Sequence, residues 1–140
     1  MENFIDVTPE AGKALFMQNP KGELIMLNLL RFKDVADYSA FPDLLPDTPI
    51  SGKDAYDLYI EHTLPILREY GGDVIYSGTG SEYLIGPADQ KWDLVLLVRH
   101  KSLQVFMSFA QNEAYLKGAG HRTAALLDSR LLPTQELKTR

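Results

Sequence analysis

The first long apolar run of the chain, GELIMLNLLRFK at residues 22–33, has apolar side chains at both odd and even positions and a single amide, Asn28, in its middle. A strand that is apolar on both faces is expected in a sheet that is covered on both sides. Residues 23–32 are therefore predicted as the first strand. Asn28 needs hydrogen-bond partners there, because a buried amide without them destabilises the fold.

Helical periodicity follows in SGKDAYDLYIEHTLPILREYGG. Ser51 and Asp54 have the spacing of a capping box, and Gly71 and Gly72 form the usual stop. The predicted helix has an apolar arc that consists of Tyr56, Tyr59, Ile60, Thr63, Leu64 and Leu67. This pattern predicts a long amphipathic helix with one face on the sheet.

The other segments complete a simple order of elements. They are a short N-terminal helix that starts at Pro9 after Thr8, a loop at residues 33–52, strands at 73–78 and 92–100, a helical region at 102–120 and a fourth strand at 121–132. After the N-terminal helix the order is strand, helix, strand, strand, helix, strand. This order predicts an α+β protein with a ferredoxin-like βαββαβ core, an antiparallel four-stranded sheet and an extra N-terminal helix.

One face of such a sheet is not covered by its own helices, which indicates that a partner protein covers it. A ferredoxin-like sheet has helices on one face only, so the other face would expose a large apolar patch. The residues expected in this patch are Leu27, Leu29, Val95, Leu97 and Leu127. A second subunit is the natural cover, and we therefore expect a homodimer.

Composition narrows the class of protein further. A length of 140 residues and 45% hydrophobic content fit one domain, residues 1–140, with its core at about 23–132. The net charge of −5 comes without a basic stripe, which argues against nucleic acid as a partner. The absence of cysteine excludes disulfides and thiolate chemistry. No signal-type or membrane-spanning run is evident, so a cytoplasmic protein with no membrane contact is expected.

Five segments carry a resemblance to a known family: LIMLNLLRFK, SGKDAYDLYIEHTLPIL, GGDVIYSG, WDLVLLVRH and YLKGAGHRTAALLDSRLL. Together, from about Glu23 to Leu132, they resemble a bacterial family of unknown function in the dimeric α/β-barrel superfamily. The resemblance implies two ferredoxin-like subunits whose sheets pack into a shared barrel. Superfamily relatives include cofactor-free monooxygenases, lactone isomerases, stress-induced proteins and haem enzymes, so the fold alone selects no chemistry.

Four positions could contact a ligand. Asn28 can orient a carbonyl or hydroxyl, or it can satisfy groups in the core. Tyr56 and Tyr59 either line a pocket or serve as core aromatics. Arg122, predicted at the start of the fourth strand, either binds a carboxylate or enolate or forms a salt bridge to an acidic residue, Asp93 or Glu113.

His62 is the candidate general base, because imidazole titrates near neutral pH; a structural role is the alternative. The three histidines have no metal-binding spacing, so no metal or other cofactor is expected. A haem would need His62 or His121 as its axial ligand.

The sequence thus predicts a homodimer that binds a small, partly apolar oxygenated metabolite between its sheet and helices. One form of this hypothesis is a cofactor-free enzyme, similar to the monooxygenases or isomerases, in which Asn28 or Arg122 stabilises an oxyanion. The alternative is a non-catalytic binding or stress-related module.

Overall fold

Four antiparallel strands form one sheet in the part of the chain that the computed structural model describes, residues 2–137. The strands are β1 (Leu24–Phe32), β2 (Asp73–Thr79), β3 (Leu94–His100) and β4 (Leu126–Thr134). Their order in the sheet is β2-β3-β1-β4, so the first and third strands lie in the centre. The α+β class and the antiparallel ferredoxin-like sheet are confirmed.

The helices are α1 (Pro9–Gln18), α2 (Gly52–Glu69), α3 (Leu103–Ala110) and α4 (Glu113–Ala125). The side chain of Thr8 accepts a hydrogen bond from the Ala11 amide at the start of α1, and Ser51 accepts one from Asp54 at the start of α2. These caps confirm the predicted N-terminal helix and the predicted start of the long helix. The loop between β1 and α2 contains one short 3₁₀ turn, Pro42–Leu44.

The predicted strand at residues 121–132 is wrong in its first part. His121 and Arg122 belong to the last turns of α4, and β4 begins only at Leu126. The sequence signal that misled the prediction is Gly118 and Gly120, which were interpreted as turn residues. They are instead positions where α4 approaches its neighbours closely, because a Cβ at Gly118 would collide with the His62 ring and one at Gly120 with Phe41.

The predicted second helical region is divided into two helices. α3 ends at Ala110, and the side chain of Asn112 accepts a hydrogen bond from the Tyr115 amide to begin α4. The division lets α4 turn onto α2, against which it packs. The short helix α3 instead lies beside β3 and contributes Leu103 to a cluster with β1.

The core lies on the face of the sheet that the helices cover. Leu24, Met26 and Leu30 of β1 alternate along this inner face and are almost fully buried. The outer face consists of the intervening residues of the two central strands and of β4. Among them Leu27, Leu29, Val95 and Leu97 are half-buried, and Leu132 is 56% exposed. Within the described residues, no helix has the length and apolarity that a membrane span requires.

Candidate functional site

A cavity of about 730 Å³ lies between the inner face of the sheet, helices α1, α2, α3 and α4, and the N-terminal segment. Its lining is mostly apolar, and polar side chains enter it from five elements. The polar lining includes Asn28, Tyr56, Tyr59, Thr63, His100, Arg122, Ser129 and Arg130. The structure therefore brings together four of the five residues that the sequence singled out.

Asn28 lies on the inner face of β1, since it alternates with the buried residues Met26 and Leu30. Its Nδ2 donates to the Met26 carbonyl of the same strand at 3.2 Å. The side-chain oxygen has no hydrogen-bond partner among the described residues. This amide thus presents a free acceptor at the cavity.

Tyr56 and Tyr59 occupy neighbouring positions on the sheet-facing side of α2, with ring centroids 5.2 Å apart. The Tyr59 hydroxyl is 3.0 Å from that of Tyr115 in α4, whereas the Tyr56 hydroxyl has no partner within the described chain. Burial raises the pKa of both phenols above the usual range, and the positive charge of Arg122 opposes the rise. Both phenols are therefore neutral and can act as hydrogen-bond donors.

Arg122 reaches the cavity from the last turn of α4 and not from the mouth of a strand. Its Nη1 donates to the Ile5 carbonyl at 2.8 Å and so holds the N-terminal segment. Neither Asp93 nor Glu113 pairs with it, and no carboxylate in residues 2–137 forms an ion pair with it. Most of its five N–H donors remain available.

Arg130 is the second guanidinium at the cavity, and no pattern in the sequence singled it out. Its Nη1 lies 2.6 Å from Asp128 Oδ1, and the group stacks over the rings of Phe4 and Trp92 at 4.9 and 5.1 Å. The ion pair neutralises this charge. Of these two guanidinium groups, Arg122 is therefore the one whose positive charge has no carboxylate partner among residues 2–137.

His62 lies away from this cavity, between α2 and α4. Its Nε2 donates to the Ala114 carbonyl at 2.6 Å, and its ring fills the space above Gly118. It is not one of the residues that line the cavity. The expected grouping of His62 with the other four residues is thus wrong, while its role as a general base stays a prediction.

His100 is the imidazole that does line the cavity, and the sequence interpretation missed it. It continues the inner-face alternation of Leu96 and Val98 at the end of β3, which was the available signal. The side chain is 3% exposed and packs against Phe106 and Phe109. Burial lowers the pKa of His100 to about 4, so the ring is neutral at pH 7.

Two buried polar atoms at the cavity have no hydrogen-bond partner among the described residues: Nδ1 of His100 and Oγ1 of Thr63. Thr63 lies one helical turn beyond Tyr59 on the same side of α2. In residues 2–137, no group of three or more histidine or acidic side chains is arranged to hold a metal ion. The arrangement offers uncharged donors and acceptors together with one unpaired cation.

Comparison with known proteins gives structural relatives only, since no family model and no curated protein matches the chain. The crystal structure of RPA0582, a protein of unknown function from Rhodopseudomonas palustris, is 30% identical with a TM-score of 0.87; the match covers 99% of this chain and 100% of that one. Methylated RPA0582 gives 31% identity and the same TM-score, with 99% and 98% of the two chains covered.

Two more distant structures share the fold. A dimeric protein of unknown function with a ferredoxin-like fold from Bacteroides fragilis is 9% identical, with a TM-score of 0.50 over 81% of this chain and 96% of that one. A dabb family protein with a ferredoxin-like fold from Mesorhizobium loti is 8% identical, with a TM-score of 0.51 over 84% of this chain and 100% of that one. The resemblance to a bacterial family of the dimeric α/β-barrel type is confirmed, and at this identity over almost its full length the chain belongs to the family of RPA0582.

Proposed function

We propose that the protein is a homodimer that binds a small, partly apolar oxygenated metabolite in the cavity between its sheet and helices. Asn28, Tyr56, Tyr59 and Arg122 contact the ligand in this proposal. The cavity volume of about 730 Å³ lies in the range of small-molecule sites. Its mainly apolar lining with a few convergent polar groups is also typical of such sites.

One observation carries the proposal: polar groups at an apolar cavity lack partners within the described chain. They are the Asn28 side-chain oxygen, the Tyr56 hydroxyl and Nδ1 of His100. A buried polar group without a hydrogen bond costs about 1–3 kcal/mol. A ligand hydroxyl would donate to the Asn28 oxygen and a ligand oxygen would accept from the Tyr56 hydroxyl. A cavity that served only packing would have no need of these groups.

The dimer is supported by the outer face of the sheet. Leu27 lies between Leu97 and Leu132 in the register of the sheet, which makes a continuous aliphatic row across three strands. An apolar surface of this extent is typical of an interface. The Bacteroides fragilis protein with the same fold is described as dimeric, which agrees with this part of the proposal.

Binding, rather than catalysis, is the function that these contacts support. His62, the general base expected from the sequence, donates to a backbone carbonyl outside the cavity. A neutral His100 can accept or donate a hydrogen bond without any chemical step. The monooxygenase-like or isomerase-like activity stays a prediction, and a non-catalytic binding module is consistent with every contact described above.

The test is calorimetric titration of the purified protein with octanol, a neutral oxygenated probe, after native mass spectrometry has given the subunit number and any retained molecule. We expect a dimer with saturable octanol binding. Ala110→Trp introduces a large side chain into the lining and should weaken that binding at least about 10-fold. Ala40→Trp, at an exposed loop position, is the matched control and should bind as the wild type does. No saturable binding of octanol or octanoate, together with an empty protein in the mass spectrum, would refute the proposal.

A further inference from the structure

The two ends of the cavity differ in charge, and this difference specifies the ligand more closely. Arg122, Tyr56 and Asn28 line the cavity and are taken as one end, and His100, at the last position of β3, marks the other. The first end carries an unpaired guanidinium, whereas the second carries a neutral imidazole. If the cavity binds a ligand, as the proposed function holds, that ligand must suit both ends.

At the first end, Arg122 lies close enough to Tyr56 and Tyr59 for its charge to act on both phenols. The guanidinium donates one N–H to the Ile5 carbonyl and has no carboxylate partner among residues 2–137. A planar guanidinium beside a phenol O–H is suited to a carboxylate, which accepts from both. The one acidic residue in the lining, Asp6, is exposed and does not pair with Arg122.

At the second end, the ring of His100 is enclosed by Phe106 and Phe109, with centroid distances of 4.8 and 5.6 Å. Its buried Nδ1 has no hydrogen-bond partner within the described chain. Within the described residues, no acidic side chain lines this end to favour the imidazolium. A neutral imidazole suits an uncharged hydroxyl or carbonyl oxygen.

The ends are well separated, and the space between them is apolar. Asn28 pairs with Leu96 in the sheet, and His100 lies four residues further along β3, which corresponds to roughly 13 Å. Met26 and Val98 lie between these positions on the inner face, and Leu64 of α2 faces the same cavity. A ligand that touches both ends must therefore be elongated, with an apolar middle.

We infer that the cavity binds an elongated aliphatic or arylaliphatic monocarboxylate, with its carboxylate at Arg122 and a neutral hydroxyl or carbonyl oxygen at His100. Each polar group of the ligand then meets a protein group that otherwise lacks a partner. The apolar middle of the ligand covers the strand residues between the two ends. A dianion is disfavoured, because the His100 end offers no second positive charge.

Three probes of equal chain length test both ends: octanol, octanoate and ω-hydroxyoctanoate, each titrated by calorimetry at neutral pH. We expect octanoate to bind about 10- to 100-fold more tightly than octanol, as a charge-assisted hydrogen bond predicts. The terminal hydroxyl should add about 3- to 10-fold. Arg122→Gln should abolish the preference for the carboxylate and Arg122→Lys should retain part of it, while His100→Phe should abolish only the gain from the hydroxyl.

Arg68→Gln is the matched control, because it removes an exposed arginine of α2 that, among residues 2–137, pairs with Asp73 alone at the surface. This variant should bind octanol, octanoate and ω-hydroxyoctanoate as tightly as the wild type does. Near-UV circular dichroism reports whether each variant is folded. If Arg122→Gln does not fold, Arg122→Lys still tests the role of the guanidinium. If octanol binds as tightly as octanoate, the inference is wrong and the proposed function stands. If no probe binds and the protein is empty in the native mass spectrum, the proposed function fails as well.

Discussion

The two faces of the sheet are built from the same strands but carry polar residues in different places. On the inner face Asn28 and His100 interrupt apolar rows, and the helices above leave a cavity there. On the outer face β1 and β3 present aliphatic side chains in sequence, with arginine only near the strand ends, at Arg31 and Arg99. Interrupted rows suit the recognition of a small molecule, while an uninterrupted row suits a broad apolar contact. One strand thus serves two kinds of surface because its side chains alternate.

The strongest test of this difference is to place the same charge on neighbouring residues of β1. Met26 is 2% exposed on the inner face, and Leu27 is the half-buried outward residue next to it. Met26→Glu buries an unpaired carboxylate and should lower the free energy of unfolding by about 4 kcal/mol or more. Leu27→Glu should leave a folded protomer and raise the dimer dissociation constant by about 100-fold or more, because the charge would be buried only in the dimer.

Urea unfolding monitored by circular dichroism measures the first effect, and sedimentation velocity measures the second. Leu84→Glu is the control, because Leu84 is fully exposed in the loop between β2 and β3 and should tolerate the charge in both assays. A Leu27→Glu protein that remains dimeric at low micromolar concentration would show that the outer face is not the interface. The comparison between the two faces would then lose its functional meaning.

The strands β1 and β3 were readable from the sequence, which also grouped Asn28 with Tyr56 and Tyr59 as a hypothesis. The face that Asn28 takes was not readable, because both faces of β1 are apolar, and the structure places it on the inner face. Local periodicity fixes which side chains share a face, and the order of elements fixes which faces meet. His100 follows from the same rule but was overlooked, since it stands at the last position of its strand. The sequence could not place Arg122 correctly, because glycines that allow close helix packing look the same as glycines that end a helix.

His62 shows the other limit of sequence reasoning. Its position at the edge of the apolar arc of α2 was recognised, but an edge position can face either the sheet or a neighbouring helix. Only the packing of α4 through Gly118 decides between them, and that contact joins residues far apart in sequence. Long-range contacts of this kind leave no periodic signal in one chain.

The pH dependence of stability tests the polar interruption of the inner face at His100. Its pKa is lowered to about 4 in the folded protein from the usual 6.5. Between these values the unfolded chain takes up a proton that the folded protein does not, so acid favours unfolding. Linkage gives a loss of about 2 kcal/mol in the free energy of unfolding on going from pH 7.5 to pH 5.

The measurement is urea unfolding at several pH values for the wild type and His100→Phe. The difference between the two curves isolates His100 from other groups, including His121, whose pKa burial also lowers. The wild type should lose stability relative to the variant as the pH falls from about 6.5 towards 4. Parallel curves would mean that the imidazole is well solvated, and the neutral end of the cavity would not exist.

The smallest effect, and the most informative for the inner face, is expected for Asn28→Leu. Its hydrogen bond to the Met26 carbonyl is local to one strand, so the free energy of unfolding should change by less than about 1 kcal/mol. Octanol binding should weaken by about 3- to 10-fold, because leucine has no acceptor for the probe hydroxyl. A loss of stability above about 2 kcal/mol with unchanged octanol binding would instead assign Asn28 to the core. Asn28 would then stabilise the fold and not bind a ligand. The two faces would differ only in what covers them, helices on the inner face and the second subunit on the outer face.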